Sequence, residues 1–177
     1  ISKKKPTYVS LTGGVSIYLL NTQSSAVNAS LYLIPAPLAA STPEMVEAIK
    51  KESAVIEIAR MHTTASCSVI GIGGVDDNAT VIKSGIIQKS DFDFLKMCGA
   101  VGDVLAHFFN EDGNFITSAA DEHLVTYPPE SLKKLHNVIA VAAGSAKYVA
   151  IRAALRAHYP DILITDEDTA RWLVKNV

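Results

Sequence analysis

The chain has 177 residues, 49% of them apolar, a formal net charge of −2 and a pI near 6.2. That length and apolar content suit a single domain, expected over residues 1–177, with a full hydrophobic core built on a buried sheet. The 16 basic residues are scattered apart from Lys3 to Lys5, which leaves no nucleic-acid footprint, and no apolar run approaches the roughly 18 residues of a membrane span.

In chain order, "TYVSL" (7–11) reads as a first strand running into "LTGGVS" (11–16), a glycine turn where Thr12 offers a hydroxyl and Gly13 an adaptable backbone. Without GKS or GxGxxG spacing, a plain turn competes with a ligand loop there. "SLYLIPAP" (30–37) is a second strand. "STPEMVEAIKKESAVIEIARMH" (41–62) predicts one long helix, with Thr42 as N-cap, Pro43 in the first position and Glu44 favouring the helix dipole. "SCSVIGIGG" (66–74) is a third strand leading into "GIGGVDDN" (71–78), which carries Gly73 and the acidic pair Asp76 and Asp77. No third and fourth ligand accompany that pair, so no metal is expected.

The segment "VGDVLAHFFN" (101–110), the turn "EDGN" (111–114) and "FITSAA" (115–120) read as an antiparallel hairpin. "NVIAVAAG" (137–144) is a strand that stops at Gly144. In the helix that follows, "SAKYVAIRAALRAHY", Val149, Ala150, Ala153, Ala154 and Ala157 share one face, so the helix can lie close on a sheet. "DILITD" (161–166) is the last strand. Thr165 and Asp168 give the closing helix a capping-box-like start, and Asp166, Glu167 and Asp168 favour its dipole.

These apolar runs are short and lack strict alternation, as in parallel strands covered on both faces. The alternation of strand and helix therefore predicts an α/β fold: a mainly parallel, Rossmann-like sheet with an inserted antiparallel hairpin. Cys67 and Cys98, without CxxC spacing or a secretory segment before them, read as free buried thiols of a cytoplasmic protein. The five histidines show no HxxxH or HExxH arrangement, so they read as ordinary core or surface residues.

Ligands of open α/β sheets gather at the carboxyl edge. There Lys147, in the first turn after Gly144, opposes the helix dipole; a bound anion such as phosphate explains it, and so does a solvated surface lysine. Asp103 stands inside an apolar strand, where an unmet carboxylate is costly. Its partner is either structural, a backbone N–H or Arg152, or a ligand's vicinal hydroxyls. A carboxylate for hydroxyls with a lysine for phosphate is sugar-phosphate chemistry.

The segments "IPAPLAAS", "SVIGIGG", "CGAVGDVLAHFFNEDG", "VAAGSAKYVAIRAAL" and "ILITDEDTA" together resemble the effector-binding domain of the SorC family of bacterial transcriptional regulators. Within it, "TGG", "IPAPLAAS" and "DDNATVIKSG" are most similar to the autoinducer-2 operon regulator subgroup. The resemblance implies a fold related to glucosamine-6-phosphate deaminase and ribose-5-phosphate isomerase, no catalytic residue, and no cofactor or metal. It implies a phosphorylated sugar or phospho-autoinducer-2-like effector with Asp103 and Lys147 as ligands; the strand-end turns at Gly144, Thr12, Gly13 and Gly73 are the further candidate effector contacts. It further implies a homodimer or homotetramer that reaches operator DNA through an N-terminal domain. That domain and the first βα unit, with its phosphate-holding turn, are expected to precede this chain. Ala143 stands where the family usually has a first glycine before Gly144. The alternative class is a sugar-phosphate isomerase or deaminase of the same fold, but no His or Glu in these motifs presents itself as the base.

Overall fold

Alternating strand and helix signals produce two units in the computed structural model, which describes residues 5–14, 29–76, 79–83 and 85–176. One unit comprises Ile1–Thr64 with Glu122–Tyr127, the other Ala65–Asp121 with Pro128–Val177.

In the first unit, β1 (Thr7–Val9) and β2 (Ser30–Tyr32) pair in parallel with Tyr8 opposite Leu31. The returning segment 122–127 adds antiparallel bridges, Thr12 to Thr126 and Ala39 to Leu124. Two helices follow β2, α1 (Pro43–Lys51) and α2 (Ser53–His62), and Val46, Val55 and Ile58 join Ile34 and Val125 in the core. The Thr42 hydroxyl accepts the Met45 N–H at 3.3 Å with Pro43 at the start, as the sequence predicts. The single helix expected over 41–62 is nonetheless broken at Glu52, whose ψ of 134° is extended. At about 100° per residue, Val55 would fall about 180° from Val46 on an unbroken helix. The break lets both bury.

The second unit contains, in chain order, β3 (Ser68–Gly71), β4 (Gly73–Gly74), α3 (Thr80–Lys83), α4 (Lys89–Met97), β5 (Ala100–Val104), β6 (His107–Asn110), β7 (Val138–Val141), α5 (Tyr148–Arg156), β8 (Ile162–Ile164) and α6 (Glu167–Asn176). Parallel pairing gives the order β3-β7-β8, while β4-β5-β6 is antiparallel. The fold is thus mixed α/β with partly parallel sheets.

Helix α5 buries Ala150, Ile151, Ala153 and Ala154, whereas Val149 is 37% exposed. The expected small-residue stripe lets the backbone come close: a Cβ on Gly102 of β5 would stand 2.5 Å from the Ala150 Cβ. Phe92, Leu95, Val104, Phe109 and Leu132 complete the fully buried centre of this unit.

Three expectations are corrected. The hairpin reverses at Leu105–Ala106, between Val104 and His107, and not at 111–114. The "EDGN" turn does form, around Gly113, but it returns the chain only to a single bridge between Phe109 and Phe115. Among the described residues the β3-β7-β8 sheet is covered on one face only. On the other, Val69, Val141, Ile162 and Ile164 are 49–62% exposed, because each strand alternates its side chains across the sheet. Cys67 and Cys98 are free but exposed, since they lie before β3 and at the end of α4 and not on a buried face. Among the described residues no helix is long and apolar enough to cross a membrane.

Candidate functional site

Asp103 sits in β5 directly opposite Gly73 of β4. That pairing needs glycine: a Cβ at position 73 would lie 1.8 Å from Asp103 Oδ1. The neighbouring Gly74 makes room on the other side, because a Cβ there would come within 2.9 Å of the Ala146 carbonyl oxygen and 3.6 Å of Lys147 Cγ. The two glycines therefore seat the aspartate and the lysine-bearing turn side by side. The run 66–74, expected as one strand, divides into β3, which ends at Gly71, and the short strand β4 at Gly73–Gly74, and this is what brings Gly73 to Asp103.

Asp103 also has a local partner. Its Oδ2 accepts the Ala106 N–H at 3.2 Å. Leu105 and Ala106 both have left-handed φ, 54° and 67°, in a two-residue connection that normally favours Asn or Gly. The carboxylate thus helps hold a turn that its own residues disfavour. Arg152, the other structural candidate, pairs instead with Glu111 and lies over the Trp172 ring.

Burial pushes the Asp103 carboxyl up to about 6, against the opposing pull of the Ala106 N–H, the Lys147 ammonium and His107. The residue keeps partial access to solvent while its carboxylate is densely surrounded by protein atoms. The site therefore holds a carboxylate whose hydration is poorly replaced, beside a lysine near enough to act on it electrostatically. Hydroxyl donors brought by a ligand would meet that need.

Lys147 ends a 3-10 turn, Ser145–Lys147, and immediately precedes α5, one position earlier than the expected first helical turn. Gly144 adopts φ 99° and ψ 149°, a conformation essentially reserved for glycine. Its N–H is not directed at a ligand position: it donates to Asp166 Oδ2 at 2.9 Å and Thr169 Oγ1 at 3.1 Å. The cap of α6 is accordingly Asp166, whose Oδ1 accepts the Thr169 N–H at 2.8 Å, in place of the expected Thr165 and Asp168 pair.

Thr12 and Gly13 belong to the first unit. Thr12 bridges to Thr126, and the Gly13 N–H donates to the Val125 carbonyl, so that turn's backbone is tied into its own sheet. A Cβ on Gly13 would meet the Pro37 carbonyl oxygen at 2.3 Å. The part of this turn at positions 15 and 16 lies outside the described residues, as does Asp77 of the acidic pair. Among the described residues no group of three or more His, Cys, Asp or Glu could hold a metal ion.

Sequence reasoning missed one polar cluster beside this site. His107 Nδ1 stands 2.7 Å from Asp121 Oδ1, and Asp121 Oδ2 accepts both the N–H and the hydroxyl of Ser118. Burial alone would raise the Asp121 carboxyl; His107 and Ser118 outweigh it and hold it below its ordinary value. Residues 14 apart in a hairpin and a 3-10 turn give no periodic signal that could have joined them.

A family profile described as a sugar-binding domain matches residues 2–175. The chain is 33% identical over 174 residues to the transcriptional regulator LsrR of Enterobacter sp. (strain 638), a match covering 97% of this chain and 54% of that protein. It spans about half the length of the curated relatives it matches. Its fold is similar to the sugar-binding domain of a transcriptional repressor from Vibrio fischeri, with TM-score 0.84 and 25% identity over 99% of this chain and 72% of that one. It is also similar in fold to the full-length sorbitol operon regulator SorC from Klebsiella pneumoniae, with TM-score 0.83 and 21% identity over 98% of this chain and 59% of that one. These relatives are transcriptional regulators. With a profile match over nearly the whole chain and a regulator at this level of identity, the chain belongs to the sugar-binding domain family of bacterial transcriptional regulators.

Proposed function

We propose that this chain is the effector-sensing domain of a cytoplasmic transcriptional regulator, and that its effector is a phosphorylated sugar or a phospho-autoinducer-2-like signal. The observation that carries this reading is the Asp103 carboxylate seated against Gly73, with Lys147 beside it at the end of the Gly144 turn. Asp103 accepts hydrogen bonds from vicinal hydroxyls. Lys147 supplies a compact cation to a phosphoryl group that carries about 1.5 to 2 negative charges near neutral pH. Gly73 contributes space, and Gly144 contributes the turn.

In the longer regulator, effector binding changes the operator affinity of a separate DNA-binding domain, and the protein works as a homodimer or homotetramer. Its complete effector domain is a Rossmann-like sheet related to glucosamine-6-phosphate deaminase and ribose-5-phosphate isomerase.

Calorimetry with pentose and hexose phosphates and their parent sugars tests the reading. One or more phosphate esters bind and the matching free sugar does not. Lys147→Ala weakens the ester by about 30- to 150-fold, the worth of about 2 to 3 kcal/mol for a charge-assisted contact. Equal affinity for a sugar and its ester, or an unchanged ester affinity in Lys147→Ala, overturns it.

A further inference from the structure

The chemistry of Asp103 and Lys147 gives no part to the "ITDEDTA" segment beyond starting α6. Its hydrogen bonds do more than that. Beyond the β7–β8 pairing, the Ala142 N–H donates to the Ile164 carbonyl at 3.2 Å, so the two chains stay side by side to the sheet's carboxyl edge. They then part, and Gly144 takes a backbone conformation that other residues do not adopt without strain. Glycine can take many other conformations, so this one is held only where the surroundings select it. Here the surroundings are two side chains 22 and 25 residues further on.

The Gly144 N–H is shared between Asp166 Oδ2 and Thr169 Oγ1. The Thr169 hydroxyl in turn donates to Asp166 Oδ2 at 2.7 Å, and the Thr169 N–H donates to Asp166 Oδ1. Thr169 is 0% exposed, so its hydroxyl stays where the packing puts it. The result is a closed ring of hydrogen bonds around one N–H of the loop. A carboxylate near an anion site would ordinarily repel the anion. This one has its charge turned toward Gly144 and Thr169, whose N–H and hydroxyl hold it below its ordinary pKa.

We propose that Asp166 and Thr169 are positioning residues: by fixing Gly144 from behind they aim the Ser145–Lys147 turn and its ammonium at the effector's phosphoryl group. The inference rests on the phosphate role given to Lys147 above. A cap that only started α6 would need the Asp166 bond to the Thr169 N–H and nothing at Gly144. The Thr169 hydroxyl separates the two roles, since it touches Gly144 and Asp166 Oδ2 but is not the capped N–H.

The test compares the wild-type chain with Thr169→Val and Thr169→Ser by amide hydrogen exchange and by titration with inorganic phosphate followed by phosphorus NMR. In Thr169→Val, exchange across Gly144 to Tyr148 rises by about tenfold while the interior of α6 is unchanged. Phosphate affinity falls by about five- to tenfold, the worth of one hydrogen bond. Serine restores both. Unchanged loop exchange in Thr169→Val overturns the inference, as does a loosened loop with undiminished phosphate affinity, or a serine variant that behaves like valine. A wild-type chain indifferent to phosphate and phosphate esters overturns the effector reading and this inference together, and it is recognised because the failure precedes any substitution.

Discussion

Replacing Asp103 by asparagine removes the charge and keeps the shape, and the structure says what that does to the unliganded protein. Burial lifts the carboxyl from 3.8 to about 6. A folded-state pKa above the unfolded one means that the folded protein prefers the protonated form. The associated stability is therefore complete below about 3.8 and is lost as pH rises through about 6. At about 1.4 kcal/mol per pH unit, the ionised Asp103 costs the folded state at most about 3 kcal/mol at about pH 7.5, and about 1 to 2 kcal/mol after discounting for its partial access to solvent.

The asparagine side chain cannot ionise, yet its amide oxygen can still accept the Ala106 N–H. Asp103→Asn is therefore more stable than the wild type at about pH 7.5, by about 2 to 8 °C in Tm for a chain of this size. The gap closes as the pH is lowered toward about 4. Thermal unfolding of both proteins between about pH 4.5 and 8 measures it, and the difference curve cancels every other titrating group. The same variant binds phosphate esters of sugars less tightly, because a neutral amide is a weaker acceptor for hydroxyls than a carboxylate. An asparagine variant less stable than the wild type at neutral pH, or a gap that does not change with pH, would refute this reasoning.

Gly73→Ala brings a Cβ to within 1.8 Å of Asp103 Oδ1, so it lowers Tm and abolishes effector binding; in an Asp103→Ala background the same change costs much less, which a double-mutant cycle by urea unfolding reads directly. His62 is buried with Nε2 at 2.8 Å from the Ser10 carbonyl oxygen, and burial lowers its pKa below 6.5. Stability tied to its neutral form is present above 6.5 and declines as pH falls below that value toward the folded-state pKa. His62→Gln accordingly shows a flatter dependence of the urea midpoint between about pH 7.5 and 5. Cys67 and Cys98 are free and exposed, so a thiol reagent titrates both in the native protein, without denaturant.

What the sequence determined by itself was local. Thr42 with Pro43 starts α1, the apolar runs become β1, β2, β3, β7 and β8, the chain turns at Gly144, and Ala150, Ala153 and Ala154 form a close-packing face; each follows from capping, periodicity or glycine stereochemistry within a few residues. Asp103 and Lys147 were legible as oddities of charge for the same reason. Tertiary structure decided the rest, because the deciding partners lie far along the chain. Glu52 breaks a helix of good local propensity so that Val46 and Val55 can enter one core. The hairpin reverses at Leu105–Ala106, two poor turn formers, because β5 must meet Gly73 and Gly74 on one side and β6 on the other, with the Asp103 carboxylate bonding the turn. The N–H of Gly144 finds Asp166 and Thr169 only once β7 and β8 are paired. A strand-end N–H or a carboxylate within a sheet takes whichever partner the packed sheet delivers, and no spacing along the chain encodes that choice.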